Sequence, residues 1–247
     1  MSNSLNDRRT IRKYTNQIID DELLNELFEK TFRSSNTGNM QLYSVVITRD
    51  IEMKKKISPF HFNQPMVEQA PVVLTFCADF NRFTKWCHQR NASPGYDNFQ
   101  SFMTAAIDAT IITQTFCVAA EEKGLGICYL GTVTYMTQQI IDVLQLPQYV
   151  IPITTLTVGY PAENPQQVER LPIHAILHQE NYKDYTPEEI NQLYCEKENL
   201  PTNKDYVVEN NKETLAQVFT DIRYTKKNNE TFSETLLNAI KKQGFLK

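Results

Sequence analysis

A mixed helix-and-strand protein built around one buried helix is the architecture that the sequence predicts, and three observations carry it. The first is the segment 98–123. Phe99, Phe102, Met103, Ala105, Ala106, Ile107, Ala109, Ile111, Ile112, Phe116, Val118, Ala119 and Ala120 leave it almost no continuous polar face. A helix apolar nearly all round should be buried on most sides. Its end is marked by Glu121, Glu122, Lys123 and then Gly124, a residue suited to the left-handed C-terminal cap. The second is Gly126-Ile127-Cys128-Tyr129-Leu130-Gly131, an apolar run bracketed by glycines that reads as a buried strand. The third is a set of further strand-like runs at 42–49, 72–78 and 153–159.

Bulk properties narrow the class. A chain of 247 residues supports a substantial core, in one large domain or two small ones. With 41% hydrophobic and 22% charged residues the composition is that of a soluble globular protein. A net charge of -4 and a pI near 5.7 argue against a nucleic acid or an anionic membrane as partner across the whole surface. Asp7, Arg8 and Arg9 stand where a secretory leader would have its apolar run. The segment 98–123 is long enough to span a bilayer, but Gln100, Asp108 and Gln114 make that costly, so it reads as a core helix. Buried Asp108 demands hydrogen bonds, within the chain or across a dimer, and is read as structural. Five cysteines are an odd number, widely spaced, with Cys77, Cys117 and Cys128 inside apolar runs. That is the reduced-thiol usage of a cytosolic protein.

Taken in order, residues 1–7 read as a loose tail, and Arg8-Arg9-Thr10-Ile11-Arg12-Lys13-Tyr14 as a basic cluster. Two or three guanidiniums near a hydroxyl suit a phosphate, while a solvated basic turn is the plainer alternative. A helix is expected from about Asp20, with Leu23, Leu24, Leu27 and Phe28 as its buried stripe. Ser34 to Asn39 is a polar loop able to turn several backbone N–H groups towards a ligand. A short helix at 52–57 and an aromatic loop at 60–65 precede the second strand. From Lys85 to Asp97 the composition turns polar, with a turn at Pro94-Gly95. A helix at 137–146 is stopped by Pro147, and 164–172 should be extended. Three helical patterns follow, at 188–196, 212–220 and 231–243, with Asn199–Asn203 as a linker candidate. The chain is expected to be a single domain over 1–247, with about 199–247 a C-terminal extension.

Most catalytic signatures are missing. The four histidines are scattered, no Cys/His spacing suits zinc, and neither a nucleophile elbow nor a Walker loop is present. Gly124-Leu125-Gly126 is half a dinucleotide fingerprint in the wrong order, because these glycines end a helix and open a strand.

In combination, several stretches resemble the FMN-dependent nitroreductase family, closest to its oxygen-insensitive NADPH nitroreductases and flavin reductases. They are Arg8-Arg9-Thr10-Ile11-Arg12, Ser35–Gly38 with Gln41, Asn63-Gln64, Phe76–Arg82, Ala119–Gly131, Leu144–Pro147, Val158–Pro165 and Arg170-Leu171-Pro172. The resemblance covers roughly residues 8–182. It implies an α+β fold with a mostly antiparallel central sheet flanked by helices. It also implies a long helix buried in a homodimer interface and two FMN sites at that interface. Carried over by position, Arg8, Arg9, Thr10 and Arg12 would hold the FMN phosphate and reach the pyrimidine edge. Asn36, Thr37 and Gly38 would line the ring and ribityl chain, and Gln64 would bond the pyrimidine side. Tyr129, Leu130 and Gly131 would lie along the flavin, and Arg170 would be a second phosphate ligand. No catalytic side chain and no metal ligand is implied. Thr132 stands where relatives carry a second glycine, and Val168 stands where a lysine is expected.

The activity implied is hydride transfer from NADPH or NADH, through flavin N5, to a nitroaromatic, quinone or flavin acceptor in ping-pong turnover. Two other readings are a specialised flavoprotein on the same scaffold (dehalogenase, dehydrogenase or flavin-cleaving) and a non-catalytic flavin-binding protein.

Overall fold

The computed structural model describes residues 5–246. Residues 1–4, most of the expected loose tail, lie outside the described residues, and Leu5–Asp7 form a turn. Helix α1 (Asp21–Thr31) begins at Asp20, whose carboxylate accepts from the N–H of Leu23. It buries Leu24, Leu27, Phe28 and Thr31. Strand β1 (Tyr43–Thr48) and helix α2 (Ile51–Ile57) follow, and the 60–65 region forms a tight turn leading into the short helix α3 (Pro65–Gln69). Strand β2 (Val72–Asp79) is buried along its whole length.

After β2 comes helix α4 (Asn81–Gln89), which runs into the segment that the sequence marked only as polar from residue 85 onwards. Its polar surface hides a narrow apolar side on which Phe83 packs against the core. Helix α5 (Phe99–Glu122) is capped by Asn98, strand β3 spans Gly126–Leu130, helix α6 spans Thr137–Val143, and strand β4 spans Val150–Gly159. The sheet order is β1-β2-β4-β3, with every pairing antiparallel, as the resemblance implied. The register slips between Phe76 and Cys77 opposite Thr154 and Pro152, because a proline has no N–H for the ladder of a central strand.

By its contacts the chain divides into two compact units, one made of residues up to Gln166 together with Phe232 onwards, the other of Gln167–Thr231. In the first, Ala109, Ile112, Phe116 and Cys117 of α5 pack with Leu74 and Phe76 of β2 and Leu156 and Val158 of β4. The last turns of the chain return to this unit, where Ala239, Ile240 and Phe245 are buried with Phe80 and Phe102. The second unit holds helices α7 (Pro187–Asn199) and α8 (Pro201–Glu209), the short α9 (Leu215–Gln217), a wider turn at Val218–Arg223 and the start of α10 (Lys226–Lys242). Asn199–Asn203 is therefore a junction of two helices rather than a linker. Leu200 alone separates them, and Pro201 is tolerated at a first helical position, where its missing N–H has no partner to lose.

Helix α5 is less completely covered than its composition suggested. It buries eleven residues, yet Phe99 (48%), Met103 (38%), Ile107 (53%) and Ile111 (37%) remain exposed, four apart along one face. Buried Asp108 finds its partners within the chain. It accepts from the Thr37 N–H (3.0 Å), the Thr37 hydroxyl (3.0 Å) and the Leu42 N–H (3.4 Å). Asp108→Ala leaves these donors without their acceptor and should cost about 2–4 kcal/mol, with Asp108→Asn costing less. Urea unfolding checks this, and an unchanged midpoint for the alanine variant would contradict it.

Candidate functional site

The basic segment is fixed to the edge of the sheet by backbone. Ile11 N–H donates to Ile127 O (3.0 Å), and Thr15 N–H donates to Tyr160 O (2.9 Å). Ala162 N–H donates to Lys13 O (2.9 Å), and Tyr14 bridges Pro161. Two glycines permit this approach. A Cβ on Gly126 would lie 2.6 Å from Ile11, and one on Gly159 would lie 2.7 Å from Tyr14. The Tyr14 hydroxyl donates to Ile11 O and accepts from the Thr157 hydroxyl, each at 2.7 Å. A single carboxylate oxygen of Glu163 accepts the N–H groups of Arg12 (2.6 Å) and Lys13 (3.1 Å).

This arrangement brings Arg8 and Arg9, two of the expected site positions, into one cleft of about 390 Å³, with Thr10 and Arg12 flanking its wall residue Ile11 in the chain. Arg8, Arg9, Ile11, Glu121, Gly126 and Glu163 are among its walls. Arg8 Nε lies 3.4 Å from Glu121 Oε1, so its charge is partly balanced. Burial nevertheless pushes the Glu121 carboxyl up, against the lowering pull of Arg8. Arg9 is different: its Nε is buried and has no hydrogen-bond partner among the described residues. Tyr129 stands close enough for Arg8 to act on its phenol, which burial and then the Cys117 thiol push well above the usual tyrosine range. Its hydroxyl donates to Gln114 Oε1 on α5 (3.1 Å). Arg12 is exposed at its side chain and neighbours Cys128, whose thiol is raised by burial and lowered by Arg12 and Arg8.

Gln64 joins β3 through an intermediary. Its N–H and its side-chain amide both donate to His61 O, at 3.2 and 3.1 Å. The His61 ring lies 2.8 Å from the Thr132 hydroxyl, just past Leu130 and Gly131. Thr132 is thus turned into the interior, and the ring of His61 is buried. Thr37, between Asn36 and Gly38, is anchored to α5 through Asp108, and Asn36 accepts from the Gln41 N–H (3.1 Å). Arg170 belongs to the second unit, where its Nη1 donates to the backbone oxygens of Val168 (3.2 Å) and Glu169 (2.9 Å).

Sequence reasoning missed Glu121, Glu163 and His61 as members of this region. Glu121 was legible only as the end of a helix, and Glu163 only as a member of the resembling stretch Val158–Pro165. The two strand-end glycines were the readable signal, since glycine in a strand marks close approach of another backbone.

A four-stranded antiparallel sheet under one long helix, with an arginine-rich segment laid on its edge strand, defines an α+β protein with a cleft at the sheet edge whose walls carry both arginines and carboxylates. Residues 5–160 match the family model described as the nitroreductase family, and the chain belongs to that family. Among its relatives in Bacillus subtilis (strain 168), an FMN reductase [NAD(P)H] is 38% identical over 181 residues, covering 72% of this chain and 73% of that protein. An FMN reductase (NADPH) of the same strain is 30% identical over 237 residues, covering 95% and 89%. A crystal structure from Bacteroides fragilis NCTC 9343 superposes with a TM-score of 0.98 at 62% identity, over 99% of both chains. A nitroreductase structure from Bacillus subtilis gives 0.85 at 28% identity, over 98% of this chain and 97% of that one.

Burial pushes the His61 imidazole down from 6.5 to about 4. The unfolded chain therefore binds a proton that the folded one does not between those two pH values. Stability contributed by neutral His61 is present above pH 6.5 and is lost as pH falls towards 4, by up to about 3 kcal/mol. His61→Gln should flatten the acid limb of the unfolding midpoint against pH in that window, and an unaltered limb would contradict the assignment.

Proposed function

We propose that this chain is an FMN-dependent oxidoreductase that takes reducing equivalents from NADPH or NADH and passes them to small-molecule acceptors. Its kinship with FMN reductases supports this, but the observation that carries it is the unpartnered Arg9 Nε beside the basic edge of β3. The residues fit a flavin mononucleotide. A buried guanidinium nitrogen without a partner calls for an anion, and a phosphate meets it with charge-assisted hydrogen bonds. Around the position of a Cβ on Gly131 there is open space, as a flat ring at this strand end requires.

Arg9, Thr10 and Arg12 hold the phosphate, and Arg8, shared with Glu121, adds positive charge to the same wall. Gln64 orients the pyrimidine side, and Tyr129, Leu130 and Gly131 flank the ring. Bound FMN supplies hydride chemistry at N5, with donor and acceptor taking turns in one pocket, so that turnover is ping-pong. The protein holds the partners in line and keeps positive charge near the ring, with no side chain required as acid or base. Nitroaromatics, quinones and free flavin are the acceptor classes that an open pocket of this kind admits. The exposed row Phe99, Met103, Ile107 and Ile111 is the seam of a homodimer, with the two FMN sites at its interface.

A visible spectrum under anaerobic conditions tests the reading. The purified, FMN-loaded protein should bleach with NADPH or NADH and recolour on adding a nitroaromatic or quinone. A yellow protein that neither nucleotide bleaches would overturn the oxidoreductase. Arg9→Ala should weaken FMN binding about 10- to 100-fold without unfolding the chain, read by fluorescence titration. Equal affinity in the variant would remove Arg9 from the site. Ile107→Asp should convert the dimer to monomer in sedimentation, and a wild-type profile for that variant would place the seam elsewhere.

A further inference from the structure

Thr132 follows Gly131 at the end of β3, and the structure shows where its side chain goes. It is only 8% exposed and meets His61, itself 1% exposed, at 2.8 Å between Oγ1 and Nδ1. His61 ends the tight turn Ser58–His61, and the two residues after it, Phe62 (φ 56) and Asn63 (φ 52), both take left-handed backbone. Non-glycine residues adopt that conformation in succession only where their surroundings enforce it. The next residue is Gln64, whose backbone and side-chain amide both donate to the carbonyl of His61. One buried histidine thus grips Gln64 with its backbone and the end of β3 with its ring. Outside this bond the Phe62 and Tyr135 rings stack at 6.3 Å, and Tyr135 stacks on Phe232 at 4.3 Å, holding the same two segments together.

We propose that His61 and Thr132 are a positioning pair. Their hydrogen bond fixes the spacing between Gln64 and Gly131, and through it the seat of the flavin pyrimidine edge. This rests on the FMN reading given above. Both residues are buried, so they act through Gln64 and Gly131. A buried hydrogen bond between neutral partners is directional, and its two ends stand on rigid segments, so losing it lets the Gln64 turn drift relative to β3.

The test is FMN titration of the full chain carrying Thr132→Val, Thr132→Ser, Gln64→Ala and the Val/Ala double change, with the spectrum of bound flavin recorded alongside. T132V should bind FMN about tenfold more weakly and shift the flavin band, while T132S should retain both properties of the wild type. The loss from T132V should largely vanish in the Q64A background, because the pair acts through Gln64. Full additivity of the two changes, or T132S failing as badly as T132V, overturns the pair. Wild-type affinity and spectrum in T132V overturn it too. Should T132V not accumulate as folded protein, T132A carries the same expectations. A wild-type chain that binds no FMN fells the flavin reading itself, an outcome distinct from equal binding by wild type and T132V.

Discussion

The close docking of residues 11–15 on the ends of β3 and β4 is the constraint on which the site depends. The wider segment 8–15, with three arginines and a lysine, repels itself and would sample many conformations if it were free. Here it is held by backbone bonds to Ile127, Tyr160 and Ala162, and by the Glu163 carboxylate that receives two successive N–H groups. The contact exists because Gly126 and Gly159 have no side chains. Either strand end with a Cβ would push the segment outwards by more than the neighbouring side chains can yield. Charge at a fixed place, rather than charge alone, is what makes an anion site selective for phosphate geometry.

The electrostatics of the cleft are a balance between arginines and buried carboxylates. Arg8 and Glu121 offset each other, and burial acts on Glu121 in the direction opposite to that of Arg8. Arg9 is left with an unmet donor at Nε. A buried guanidinium nitrogen without a partner is costly, and a ligand phosphate relieves that cost with a charge-assisted hydrogen bond. The same reasoning explains why Asp108, the carboxylate inside the apolar helix, belongs to the scaffold: its three donors lie within the chain and anchor the 36–42 loop to α5.

Much of the fold was legible because its strands are β-branched apolar runs between turn residues, and because α5 lacks a wet face over most of its length. Helix α4 was not legible, since its apolar residues are few and lie among lysine, arginine and histidine. The start of α10 hides in Lys226-Lys227-Asn228, which carries no periodicity. At the site, the arginines were readable as an anion motif from residue type alone. Their supports were not, because Glu121, Glu163 and His61 meet their partners only through the tertiary fold. The His61–Thr132 contact joins residues 71 positions apart, and no local pattern announces it. Thr132 was visible as a departure, but only the coordinates show that it faces inwards.

The central claim is that the basic segment on the edge of β3 exists to hold a phosphate. Parallel titrations of the flavin-free protein with FMN and with riboflavin, which share a ring and differ in that phosphate, address it most directly. The account predicts that FMN binds about a hundredfold more tightly, that added salt narrows the gap, and that Arg9→Ala removes most of it. Equal affinity for the two flavins in the wild-type protein would contradict the account.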